Sequence, residues 1–124
     1  MEVPQLLKSI YWVGSARKDM RRLPEAVRYT FGYALYLARR NEKHAAAKPL
    51  KGFGGAGVLD IVEDFAGDTY RAAYTVRFQG AVYVLHVLQK KSKQGAATPQ
   101  ADMNLIRERL KLAEAHYHTE HSQP

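Results

Sequence analysis

Arg71, His86 and Lys90 are the residues of this sequence whose types and spacing could act together in chemistry. They fall in two consecutive β-prone runs, about residues 70–78 and 81–90, joined at Gln79-Gly80. A two-residue turn there, with Gly80 supplying φ > 0, sets Phe78 opposite Ala81, Arg71 opposite Leu88, Ala73 opposite His86 and Arg77 opposite Val82. Arg71 is then diagonal to both His86 and Lys90, at roughly 7–8 Å, within reach of long side chains. Neither of these two strands brings a carboxylate to the group. That set suits phosphodiester cleavage by an adjacent ribose 2′-hydroxyl, which needs a base, an acid and positive charge on the phosphorane. Arg71 forks onto phosphate oxygens and stays charged. His86 carries an imidazole, the side chain type best suited to moving protons. Lys90, crowded by Arg71 and Lys91, can serve as base or acid. Such a site needs no metal. Each residue also has a plainer reading. His86 can be a packed strand histidine, Arg71 can pair with Asp60 or Glu63 of the preceding strand, and Lys90 to Lys93 can form a solvated turn.

The elements that must position this group read as follows. Residues 9–13 form a short strand ended by Gly14-Ser15, and Ser15 caps a helix from about Ala16 to Leu23. Pro24 breaks it and opens a second helix running to about Arg40. There Val27, Phe31, Ala34, Leu35 and Ala38 recur on one helical face. A connection spans 41–57, and three strands follow at about 58–63, 70–78 and 81–90. Thr98-Pro99 reads as N-cap and first helical position of a last helix, Gln100 to Tyr117, with Ile106, Leu110, Ala113 and Tyr117 on one face. Residues 118–124 read as a frayed tail. The order is βααβββα, an α+β domain with an antiparallel-rich sheet. In the expected register Tyr70, Ala72, Tyr74, Val76 and Phe78, with Ala81, Tyr83, Leu85, Val87 and Gln89, make an apolar face to pack on helices. Arg71, Ala73, Thr75 and Arg77 lie on the other face, with Val82, Val84, His86, Leu88 and Lys90.

Length and composition bound the rest. The chain has 124 residues, one domain spanning 1–124, and 46% hydrophobic residues, enough for one core. Cysteine is absent, which removes disulfides and thiol nucleophiles and fits a reducing compartment. The first ten residues do not read as a signal peptide and no run is long enough to span a membrane, so a cytoplasmic protein is expected. The 19 Lys and Arg exceed the 12 Asp and Glu, for a net charge of +7. The excess is uneven: eleven bases against four acids in residues 1–57, two against four in 58–79, and six against four in 80–124. A basic small domain favours RNA, DNA or an acidic protein as partner.

Some motifs carry less than they suggest. Gly52, Gly54 and Gly57 match the spacing of a dinucleotide-binding loop but precede a strand, so a tight turn is the better reading. Lys90-Lys91-Ser92 lacks the upstream glycines of a phosphate-binding loop. His116, His118 and His121 sit near the C-terminal end and are not taken as metal ligands. Tyr29, Phe31, Tyr33 and Tyr36 crowd one helix, where core and interface packing explain them better than base stacking.

Three stretches together resemble a family. They are Leu50-Lys-Gly-Phe-Gly-Gly-Ala-Gly-Val-Leu-Asp-Ile61, Asp68-Thr-Tyr-Arg-Ala-Ala-Tyr-Thr-Val76 and Val82-Tyr-Val-Leu-His-Val-Leu-Gln-Lys-Lys-Ser-Lys93, continued by Gly95-Ala-Ala-Thr-Pro99. They look like the phage-derived, HigB-like branch of the RelE/ParE toxin superfamily. Trp12-Val-Gly-Ser15 through the Phe31 to Leu35 helix is similar too, and the resemblance covers about residues 9–115. It implies a RelE-like microbial RNase fold with helices packed on one side of a twisted sheet. It implies a type II toxin, an endoribonuclease that cleaves mRNA, often on the ribosome, to inhibit translation and growth, with no metal or small-molecule cofactor. A helix-turn-helix antitoxin is the implied protein partner. Carried over by position, the catalytic groups are Arg71 and the strand end Lys90-Lys91, with His86 less secure. Lys48 and Lys51 lie in the basic stretch before the sheet, and Arg77 and Lys93 join them as RNA-binding candidates. Leu88 stands where the family commonly has Phe, and Asp60 where Glu is usual.

Two other functions fit the same residues. One is a non-enzymatic gyrase inhibitor of the ParE sort, which arrests growth with intact mRNA, because a fold does not fix a function. The other is a basic module that binds RNA or an acidic antitoxin without turnover, recognised by salt-sensitive binding and no cleavage products. Arg21, Arg22, Arg28 and the helix tyrosines are the expected antitoxin surface.

Overall fold

The computed structural model describes residues 6–55, 57–90 and 98–121. Its elements are β1 (Ser9–Trp12), α1 (Ala16–Arg21), α2 (Glu25–Arg39), β2 (Lys48–Pro49), β3 (Val58–Phe65), β4 (Asp68–Thr75), β5 (Ala81–Lys90) and α3 (Gln100–Glu120). The strands form one sheet in the order β1-β5-β4-β3-β2. β1 runs parallel to β5, and the other pairs are antiparallel. This is the expected α+β order, with the two-residue edge strand β2 added.

Local chemistry accounts for the elements. Pro24 holds φ at −55°, ready for the first turn of α2. The stripe Val27, Phe31, Ala34, Leu35 and Ala38 is the buried face of that helix. Ser15 precedes α1 without a backbone cap bond; its hydroxyl donates to Asp19 Oδ2 at 2.7 Å instead. Ala66 and Gly67 both take positive φ, 53° and 88°. They form a two-residue turn of the kind that matches strand twist, so β3 and β4 pair from end to end, Phe65 opposite Asp68. α3 begins at Gln100 as expected, with Pro99 and not Thr98 at the cap position, and continues through Glu120, into the stretch read as a frayed tail.

The sheet is covered on both faces, not one. α1 and α2 pack with Ile61, Tyr70, Ala72, Tyr74, Val82, Val84 and Val87. α3 packs with Val58, Ala73, Phe78, Ala81, Tyr83 and Leu85 through Ile106 and Ala113. The expected apolar face is therefore redistributed. Tyr70, Ala72 and Tyr74 keep Val87 but gain Val82 and Val84, while Phe78, Ala81, Tyr83 and Leu85 turn to α3. A β-bulge is the cause. Arg71 pairs with Leu88 and Ala73 with His86, as the short turn requires, but Tyr74 pairs with Val84 and Thr75 with Tyr83. The extra residue on β5 flips every side chain toward its start. β4 also ends at Thr75, so Arg77 does not face Val82 across a ladder. The Val76 N–H donates to Gly57 O at 3.0 Å and leads the chain out of the strand.

Candidate functional site

The register stacks side chains in rows across the α3 face. Lys48 lies opposite Asp60, Asp60 opposite Ala73, and Ala73 opposite His86. In the next row Val62 lies opposite Arg71, and Arg71 opposite Leu88. Beyond it, Asp64, Thr69 and Lys90 form the last row. Beside Arg71 and Asp60 this surface meets the start of α3. The result is a pocket of about 650 Å³ lined by Lys48, Pro49, Leu50, Lys51, Asp60, Val62, Arg71, Thr98, Gln100 and Met103.

Arg71 is the anchor. Its Nη1 donates to Asp60 Oδ2 at 2.7 Å, with the two side chains only 9% and 14% exposed. The carboxylate next to the arginine thus comes from β3, the alternative that the sequence left open. Burial pushes the Asp60 carboxyl above its ordinary value, and the Arg71 charge offsets only part of that. The Tyr74 hydroxyl is pushed up to about 12, chiefly by burial and then by the Asp60 charge. It has no hydrogen-bond partner among the described residues. An Arg with five donors, two lysines and a carboxylate around one half-apolar cavity can hold a nucleotide phosphate and its base together.

The other expected site residues fall differently. His86 is on the Arg71 face but buried under α3, where its Nε2 donates to Asp102 Oδ1 at 2.7 Å. Arg109 Nη1 donates to Leu85 O at 2.9 Å and approaches His86 Nδ1 at 3.4 Å, and its Nη2 donates to Ser15 Oγ at 3.1 Å. These contacts tie β5, α3 and the start of α1 together, so His86 holds α3 in place and does not line the pocket. Lys90 ends β5 opposite Thr69, on the Arg71 face and beyond the pocket lining. Lys91 and Lys93 lie outside the described residues. Arg77 is remote: it faces Glu114 at 3.7 Å, whereas the pocket meets α3 at Gln100 and Met103. Eleven residues of helix between Met103 and Glu114 span about 16 Å.

Sequence reasoning singled out Arg71, Lys48 and Lys51 of the pocket walls, treated Asp60 only as a structural partner, and passed over Asp102, Arg109 and the rest of the lining. The helix-start signal at Thr98-Pro99 was legible, but nothing in the sequence says that this helix end meets β3 and β4. The glycine segment forms turns: Gly52, Gly54, Gly55 and Gly57 all have positive φ. His116 pairs with the Tyr83 hydroxyl at 2.6 Å and His121 stacks on Tyr117. No described helix is long and apolar enough to cross a membrane.

Comparison with known proteins places this geometry. The E. coli toxin RelE in the free state, carrying two arginine-to-alanine substitutions, superposes with a TM-score of 0.55 at 20% identity, covering 86% of this chain and 97% of that one. The toxin–antitoxin complex RelBE2 from Mycobacterium tuberculosis gives 0.46 at 20% identity, over 73% of this chain and all of that one. The first likeness shows that this chain has the RelE fold. A search of curated protein sequences gave no match. The family model described as phage derived protein Gp49-like matches residues 18–111, and the chain belongs to that phage-derived Gp49-like family.

Proposed function

We propose that this protein is a toxin of a type II toxin–antitoxin pair that acts as a metal-independent endoribonuclease on mRNA, working on or near the ribosome. The observation that carries the reading is the pocket itself: Arg71, Lys48 and Lys51 converge on one cavity of about 650 Å³ at the sheet surface. Three cations around a nucleotide-sized space with apolar walls match a phosphodiester and one base, and Arg71 is placed to hold the charge of a pentacoordinate phosphorus. Lys90 extends the positive surface along the strand, where it would meet the flanking RNA. The RelE fold and the phage-derived family are consistent with this function without fixing it.

The partner is an antitoxin, of helix-turn-helix type in the resemblance, and its docking surface is the α1–α2 layer on the opposite side of the sheet. Residues 16–40 hold seven basic and two acidic side chains. Tyr29, Tyr33 and Tyr36 stand exposed among them, Tyr29 by 76%.

The test is to induce the chain briefly in cells and map RNA 5′ ends across coding regions, against an Arg71→Ala control. New ends that vanish in the control support the ribonuclease. Growth arrest with intact mRNA would overturn it in favour of a gyrase inhibitor or a binding module.

A further inference from the structure

We propose that Asp60 is the general base of this site, taking the proton of the ribose 2′-hydroxyl; the inference rests on the ribonuclease reading and replaces His86 and Lys90 in that role. The reaction needs an acceptor inside the pocket. Arg71 is always charged and offers donors only, and the ammonium groups of Lys48 and Lys51 likewise carry no lone pair. His86 has its two ring nitrogens turned to Asp102 and Arg109 beneath α3, and Ala73 separates it from Asp60 in the row. Asp60 is the one carboxylate among the described lining residues. One of its oxygens is held by Arg71, so the group that would accept the proton is fixed 2.7 Å from the group that would grip the phosphate. That pairing puts base and anion clamp at adjacent atoms of one dinucleotide, as attack within a single ribose phosphate requires.

The atoms balance without a further reactant. The 2′-hydroxyl gives its proton to Asp60 while its oxygen bonds to phosphorus. The bond from phosphorus to the 5′-oxygen breaks, and that oxygen takes a proton from an ammonium of Lys48 or Lys51. The products are a 2′,3′-cyclic phosphate and a 5′-hydroxyl, and solvent exchange returns the protons. Partial burial supports the role, because a carboxyl held above its ordinary value is a stronger base than a surface aspartate. The titratable and charged groups facing it are Arg71 and the Tyr74 hydroxyl from β4, Lys48 from β2 and Lys51 from the following loop; Thr98, Gln100 and Met103 at the start of α3 bring none.

The experiment uses the full chain with an mRNA oligonucleotide, free and on ribosomes, reading kcat and KM against pH for wild type, Asp60→Asn and Asp60→Glu. Asp60→Asn keeps an acceptor for Arg71 but cannot take a proton. The expected result is a loss in kcat of roughly 10²–10³-fold with KM little changed, cyclic-phosphate products, and an acidic limb in the wild-type profile that is absent from the residual Asp60→Asn activity. Asp60→Glu should restore much of the rate and shift that limb, which also serves if Asp60→Asn folds poorly. Asp60→Asn with wild-type kcat and pH profile, or with a change in KM alone, overturns the proposal while leaving the ribonuclease intact. A wild-type chain that cleaves nothing in either setting overturns the ribonuclease reading and this inference with it.

Discussion

Arg71 and Asp60 meet at 2.7 Å across adjacent strands, in a position where neither side chain has more than a small fraction of its surface in water. Taking away the arginine leaves a desolvated carboxylate. Arg71→Ala should therefore lower stability at neutral pH by about 3 kcal/mol, measured by urea unfolding, and should abolish cleavage. Arg71→Lys restores the charge without the fork, so it should recover much of the stability but little of the cleavage. Full activity in Arg71→Lys would mean that charge alone matters here.

The raised Asp60 carboxyl makes stability pH-dependent with a definite sign. A carboxyl whose folded pKa exceeds its unfolded value favours folding when protonated. Its contribution is full below the ordinary value of 3.8 and is lost as pH rises through the folded pKa. Wild type should thus gain stability relative to Asp60→Asn as pH is lowered from neutrality into the window just above 3.8. Urea titrations of both proteins across that range read the difference directly. A difference moving the other way would mean that attraction to Arg71 outweighs burial.

Both outcomes concern a pairing that the sequence brought into view without ranking it. Arg71 opposite Leu88 and Ala73 opposite His86 followed from strand alternation and a short turn, and the structure has both. The bulge was hidden because Val82 to Leu88 is nearly all apolar apart from His86, so a one-residue shift costs no visible pattern. With both faces of the sheet buried, alternation stops marking inside and outside. The helix stripe from Val27 to Ala38 was legible because α2 has one wet face. The site was half legible. Basic residues announce themselves by type, whereas Asp60 and the placement of α3 depend on β3 and α3 docking from distant parts of the chain.

Gly57 should be less replaceable than Gly54, a turn glycine of the same segment. It has φ +70°, and a Cβ there would come within 3.2 Å of the Arg77 backbone. Its carbonyl accepts both the Val76 N–H and the Thr75 hydroxyl, each at 3.0 Å. Gly54 has φ +50° with open space around it. Gly54→Ala should cost about 1 kcal/mol, from backbone strain alone. Gly57→Ala adds the clash and should cost at least about 2 kcal/mol. Equal losses in thermal unfolding would show that the contact with Arg77 relaxes freely.

Exposed Tyr29 and Tyr36 support nothing in the core, so Tyr29→Ala with Tyr36→Ala should leave unfolding within about 0.5 kcal/mol of wild type. Aromatic anchors dominate protein interfaces, and losing two should weaken antitoxin binding by roughly 2 kcal/mol or more. On the proposed function, calorimetric titration with the proposed antitoxin reads this, and RNA cleavage by the free double variant should be unchanged. Unaltered antitoxin affinity would move the docking surface away from α2.

His86 and Asp102 separate a structural from a catalytic histidine. The His86 side chain is 8% exposed and joins β5 to α3 through a 2.7 Å bond, with Arg109 at its other nitrogen. His86→Ala opens a void and leaves Asp102 and Arg109 without that partner, which should cost about 2–3 kcal/mol. Asp102→Asn removes the charge but keeps an acceptor for Nε2, so its cost should be smaller. The pair should also be coupled: the double variant His86→Ala with Asp102→Ala should cost less than the sum of its single changes by about 1 kcal/mol. Below their unfolding transitions, all of these variants should still cleave RNA, more slowly only as α3 loosens over the pocket. A well-folded His86→Ala protein that has lost cleavage by more than a hundredfold would place the histidine in the chemistry, since misplacement of α3 should first show in substrate binding.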